Sequence, residues 1–150
     1  MTTFTSRKLV RDKIASLFAA NSIWTVYSGF PGFSELAGQS PLCTVVSGGT
    51  SSQFEGKNKN PRIHRFTVTN WVLYSQTVDG WTYAMAEDLL DELEVIGAQI
   101  IRDNTQVAGF FDYLRFEPGF SDISRVPLDN GDQYVIESRV VVATLSSGAV

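Results

Sequence analysis

The step Gly56-Lys57 is the one place in this 150-residue chain where the residue types suggest a phosphate cradle. A nucleotide-binding loop of the Walker type needs a glycine, four residues, then Gly-Lys followed by Ser or Thr. Main-chain N–H groups wrap the phosphates while the hydroxyl holds magnesium. Counting back from Gly56, the first glycine would stand at Ser51, and Asn58 follows Lys57 where a hydroxyl is required. Both departures remove ligands that the chemistry needs, so the segment from Ser47 to Phe66 reads as a polar loop.

Other residues capable of chemistry are sparse. His64 is the single histidine and falls in a strand-like stretch beside Arg62 and Arg65; it is expected to face solvent or an interface, not to act as a general base. Cys43, the single cysteine, lies in the apolar run LCTVV and reads as a small buried hydrophobe. It allows no internal disulfide, which fits folding in a reducing cytoplasm. Asp88, Asp91 and Glu92 share a helical face that suits a hard cation, but no oxygen-rich loop stands by to complete the shell. A solvated helix face is the better reading. Trp24, Trp71 and Trp81, with Tyr27, Tyr74, Tyr83 and Tyr134, are scattered and joined to no basic groove, so they are assigned to core and subunit contacts and not to stacking on bases. No set of nucleophile, base and orienter assembles from these residues. The expectation is a protein that is not an enzyme and holds no cofactor or metal.

The elements that must position these residues follow from periodicity. From Ser6 to Ala20, Val10, Ile14, Leu17 and Phe18 fall on one helical face, with Ser6 as cap and Arg7, Lys8, Arg11 and Lys13 largely off that face. IWTVYS reads as a short strand, GFPGF as a turn, and SPLCTVVSGG as a strand that stops at Gly48-Gly49. A long polar loop over residues 49–61 leads to RIHRFTVTNWVLYSQT. There Phe66, Val68, Val72 and Tyr74 line one face with Asn70 as the polar exception, and Thr67, Thr69, Trp71 and Leu73 form a second, partly covered face. Asp79-Gly80 breaks the chain before YAMAEDLLDELEVIGAQIIRDN, a helix striped by Leu89, Leu93, Ile96 and Ile100, broadened by Leu90 and Ile101, and otherwise acidic. FFDYLRFE and QYVIESRVVVATLS are further strands, the second entered from a turn at Asp129-Asn130-Gly131-Asp132. This order predicts a single α+β domain: a largely antiparallel mixed sheet flanked by an N-terminal helix and a longer acidic helix.

Charge is unevenly divided. Lys57, Lys59, Arg62 and Arg65 against Glu55 give residues 47–65 a balance of +3, so the formal charge of −4 leaves −7 for the remainder. An acidic body argues against a dedicated nucleic-acid binder, which needs a basic face for phosphates; it suits a surface past which DNA slides without sticking. The basic segment would meet an acidic protein partner. With 43% hydrophobic and 19% charged residues the composition is that of a globular domain. No apolar run is long enough to span a membrane, and MTTFTSRKLVRDKI has no apolar core of the secretory kind.

The succession KLVRDKIASLF, VYSGFPGF, SPLCTVVSGG, a long polar loop, RIHRFTVTNWVLY, AEDLLDELEVIGAQI and YLRFEPGFSDIS with GDQYVIESRVVVATL resembles the tail terminator proteins of long-tailed bacteriophages across nearly the whole chain. The resemblance rests on element order, length and soft motifs. It implies a hexameric ring that caps the finished tail tube, stops its polymerisation and offers its other surface to the head connector, while DNA passes through the channel without specific binding. The implied location is the head-proximal end of the virion tail, after assembly in the host cytoplasm. Head–tail joining and tail-completion proteins share this size and layout; the alternatives are another phage head–tail connector or tail-tube-like structural protein and, outside phage structural proteins, an unrelated small-molecule-binding α+β domain. Within the resemblance, the loop from Gly49 to Pro61 contacts the tube or the adjacent subunit, with Lys57, Lys59 and Arg62 as charged anchors. The acidic helix, through Glu87, Asp91 and Glu94, either meets a neighbour's basic first helix with Arg7, Lys8 and Arg11 or lines the channel.

Overall fold

The side chain of Ser6 starts the first helix: its Oγ accepts the Leu9 backbone N–H at 3.2 Å, and α1 runs Arg7–Ala19 as the apolar spacing predicts. In this computed structural model, which describes residues 5–36, 38–52, 61–75, 82–129 and 131–145, there follow β1 (Thr25–Ser28), α2 (Phe33–Leu36) and β2 (Leu42–Ser52). Next come β3 (Arg62–Tyr74), α3 (Tyr83–Asp103), β4 (Tyr113–Phe116), β5 (Asp122–Pro127) and β6 (Gln133–Leu145). The strands form one sheet in the order β1-β2-β3-β6-β4, with β5 also paired to β6. Only β1 and β2 run parallel; every other pairing is antiparallel. The mixed, largely antiparallel α+β fold expected from the sequence is the fold observed.

The two long helices lie on one face of the sheet, α1 over β1 and β2, α3 over β3, β6 and β4. That face supplies Cys43, Val45, Phe66, Val68, Val72, Val135, Val141 and Ala143 to the main core, against Val10, Ile14 and Phe18 of α1 and Leu90 and Leu93 of α3. Burying each large side chain contributes about 1.5–3 kcal/mol. On the opposite face Leu36, Leu42, Trp71 and Tyr134 form a smaller cluster with Leu73 packed at its edge, so the second face of β3 is partly covered, as expected. A strap through residues 29–41 covers it, anchored where the Tyr134 hydroxyl donates to the Leu36 and Gln39 carbonyls at 2.7 and 2.9 Å.

Four local features differ from expectation. Gly48-Gly49 does not end β2; the strand continues to Ser52, and the ladder to β3 slips between Ser47 and Gly49. The pair builds a bulge: a Cβ on Gly48 would come within 3.1 Å of the Arg65 carbonyl oxygen, and Gly49 has φ +148°. On α3 the buried seam is Ala86, Leu90, Leu93, Gly97 and Ile101, rotated from the expected stripe, with Leu89, Ile96 and Ile100 only half-buried. Small residues allow this, since a Cβ on Gly97 would already touch Phe18 at 3.4 Å. The short helix α2 begins at Phe33, the last residue of the expected GFPGF turn. Strand β5 has no apolar alternation and is held by its ladder to β6. The turn between β5 and β6 is where the sequence places it, closed by the Leu128 N–H on the Asp132 carbonyl at 2.8 Å. Asp79-Gly80, Trp81, Asn130 and the segment from Gln53 to Asn60, with Glu55, Gly56, Lys57, Asn58 and Lys59, lie outside the described residues.

Candidate functional site

The helices that carry opposite charge sit side by side on one sheet face, so the sites build from them. On α1, Arg7 and Lys8 are exposed and Arg11 is half-buried. Arg7 Nη1 donates to Thr50 Oγ1 at 3.1 Å, and Arg11 donates from Nε to Ser28 Oγ and from Nη1 to Ser47 Oγ, each at 3.1 Å. Lys8 pairs with Asp12 at 2.8 Å. The hydrogen bonds from Lys8 and Ser28 hold the Asp12 carboxyl below its ordinary value, against a smaller effect of burial. These cations therefore brace α1 against β1 and β2 while Arg7 and Lys8 still reach solvent. Arg62 opens β3, opposite Ser52 and Leu145 in the ladder.

His64 departs from expectation: it is 1% exposed instead of facing solvent. Its Nδ1 lies 2.8 Å from Thr50 Oγ1, and its Nε2 has no hydrogen-bond partner among the described residues. The start of α1 covers it. Burial first, then the guanidinium charges of Arg62 and Arg7, make its protonation harder than usual, weakly opposed by the nearby Thr5 backbone. Cys43 is fully buried, as expected, and burial alone pushes its thiol far above the usual range.

On α3, Glu87, Asp88, Asp91 and Glu92 are exposed. Asp88, Asp91 and Glu92 remain on the solvated face; among the described residues no group of three or more His, Cys, Asp or Glu could hold a metal ion. Glu94 behaves differently from Glu87 and Asp91. It is half-buried and faces Arg139 of β6 at 3.5 Å, whose guanidinium lies 3.9 Å from the centre of the Phe116 ring. The structure thus separates Glu94 from the outward carboxylates with which the sequence grouped it.

Exposed apolar side chains mark the two sides of the sheet, and the sequence reading missed them. Tyr113 of β4, Ile123 of β5 and the fully exposed Phe120 between those strands are at one border; Leu9 lies on α1, and Phe30 and Phe33 of the strap pack against Trp71 of β3. Phe30 stacks on Trp71 with ring centres 6.0 Å apart. The available signal for Phe120 is an aromatic in the turn segment Glu117-Pro118-Gly119-Phe120-Ser121-Asp122, where nothing local can cover it.

Two hollows adjoin β3 and β6. One, about 190 Å³, is bordered by Thr67, Ser138, Glu117, Asp122 and Phe120. The other, about 20 Å³, lies under α3 and is lined by Asn70, Glu137, Glu94, Arg139 and Gly97 between the Phe18 and Phe116 rings. Neither contains His64 or Cys43. No known protein-family model matches the chain, and no curated protein is significantly similar to it.

Proposed function

We propose that this chain is a structural subunit that assembles head to tail into a ring, and that the ring caps the tail tube of a long-tailed phage and presents its other surface to a head connector. The observation that supports this reading is the separation of charge between two neighbouring helices. On α1 stand Arg7, Lys8, Arg11 and Lys13 against Asp12 alone. On α3 stand Glu87, Asp88, Asp91, Glu92, Glu94 and Asp103 against Arg102 alone. The basic helix covers the β1–β2 side of the sheet and the acidic helix the β3–β6–β4 side.

A surface that is basic toward one border and acidic toward the other can pair head to tail with a second copy of itself, and such heterologous contacts make a ring when the rotation between neighbours closes. The sheet supports the same direction of growth. Short β1 covers only Leu42–Val45 of β2, and β4 and β5 form the opposite border, where Tyr113 and Ile123 are exposed. Glu87 and Asp91 are the outward contacts of the acidic side, Arg7 and Lys8 those of the basic side. Arg62 adds positive charge near the latter; Lys57 and Lys59, outside the described residues, are the charged anchors of the segment that meets the tube or the adjacent subunit in this reading. Glu94 serves the interior of its own chain.

Light scattering coupled to size exclusion, over a concentration series with and without tube protein, tests the reading. A species near six times 16.6 kDa, alone or on tubes, is expected, dispersed by the pair Glu87→Lys and Asp91→Lys. A monomer at every concentration that also leaves tube growth unchanged overturns it.

A further inference from the structure

The small cavity under α3 has a composition that an apolar core does not need. Asn70, the polar exception on the inner face of β3, is 8% exposed, and its Oδ1 has no hydrogen-bond partner among the described residues. Directly across the ladder stands Glu137, also 8% exposed, whose Oε2 accepts from Ser121 Oγ at 2.6 Å. Glu94 enters from α3. The single cation of the group, Arg139, lies between the Glu94 carboxylate and the Phe116 ring. Two carboxylates against one guanidinium leave one negative charge, and Glu137 is left with a neutral hydroxyl as its partner. A buried carboxylate and a buried amide oxygen are both costly in that state.

We propose that this cavity is a binding site for one ammonium-type cation, its N–H groups donating to Asn70 Oδ1 and to the carboxylates of Glu137 and Glu94. The volume of about 20 Å³ admits a single water-sized group. A water molecule of that size satisfies the amide oxygen but leaves the charge; an ammonium ion does both. The walls offer three oxygen-bearing side chains, fewer than calcium or magnesium takes from a cage. Val68 and the Phe18 and Phe116 rings supply the apolar part of the lining. Gly97 forms part of the lining, and a Cβ there meets only Phe18 within 4 Å, so the space beside it belongs to the cavity. The site is internal to one chain and independent of assembly.

Thermal unfolding of the full chain in ammonium chloride, against tetramethylammonium chloride at equal ionic strength, reads the site directly, because the second cation is too large and has no N–H. The melting temperature is expected to be about 3 °C or more higher in saturating ammonium. That difference is lost in Asn70→Leu, which removes an oxygen, and in Gly97→Ala, whose methyl group fills the cavity. Gly97→Ala is favourable for helix formation and keeps the test open if the strand variant folds poorly. Equal melting of the natural chain in the two salts, or the same difference in both variants, overturns the proposal.

Discussion

Asn70 and His64 stand on the same face of β3, six residues apart, and each is more than nine-tenths buried with a polar atom that has no hydrogen-bond partner among the described residues. Their surroundings carry opposite charge. His64 lies within the influence of the guanidinium groups of Arg62 and Arg7, with the Thr50 hydroxyl beside it. Asn70 faces Glu137 and, across the cavity, Glu94. The apolar run Phe66 to Val68 separates the two, and the helix that covers each has the sign of its surroundings: α1 supplies Arg7, α3 supplies Glu94. The charge separation visible on the outside of the molecule therefore continues into its core, along a single strand.

Given that polarity, adding a carboxylate at Asn70 is a damaging small change. Asn70→Asp is nearly isosteric, yet it places a third carboxylate beside Glu137 and Glu94. It should cost about 3 kcal/mol in urea denaturation at pH 7, with the loss shrinking as pH falls and the introduced carboxyl takes up a proton. Stability unchanged from the natural chain, or a loss that grows at low pH, would break the comparison.

At the other spot the sign reverses. The protonation constant of His64 is depressed below 6.5 in the folded chain, so the fold holds the neutral ring. Above about pH 6.5 both folded and unfolded histidine are neutral and the residue adds no pH dependence. As pH falls below that value the unfolded chain binds the proton first, and stability declines until the folded-state value is passed. His64→Gln keeps an acceptor for the Thr50 hydroxyl but does not titrate, and it should remove this component of the pH profile. Carboxylates cancel in the difference between the two proteins. A difference profile that is flat from pH 7 to pH 5 would mean that burial and the neighbouring guanidinium groups together do not hold the ring neutral.

How much of this arrangement the sequence carries can be judged along β3 itself. Alternation places Phe66, Val68, Val72 and Tyr74 on one face and marks Asn70 as an interruption, because a two-residue period needs only local information. The burial of His64 is not local: Thr5 and Arg7, which bear on it, are almost sixty positions away, and a histidine between two arginines looks solvent-facing until that helix end is in place. Glu94 shows the same limit. Within α3 it is one more acid on a polar face, and only the folding of β6 brings Arg139 to it. The net charges of α1 and α3 are legible by composition, whereas the rotated seam of α3 depends on Ala86 and Gly97, which hydrophobic patterning passes over. Strand β5 was not found because Asp122–Pro127 has no buried side of its own and exists through the ladder to β6.

The smallest effect is expected outside the core, at Lys8. It pairs with Asp12 one turn along α1, but the side chains are 71% and 39% exposed, and a lysine in the first turn opposes the helix dipole. Lys8→Ala should therefore change stability by less than about 0.5 kcal/mol in either direction, with any effect fading in salt. The pair is still detectable through its acid: without the Lys8 hydrogen bond, the largest of the influences lowering it, the Asp12 carboxyl should titrate at higher pH in NMR spectra of the variant. A role for Lys8 in contacts between copies would appear in the solution mass while leaving the melting curve in place. A large loss of stability instead would assign this lysine to the fold of its own chain and remove it from the basic surface offered to a neighbour.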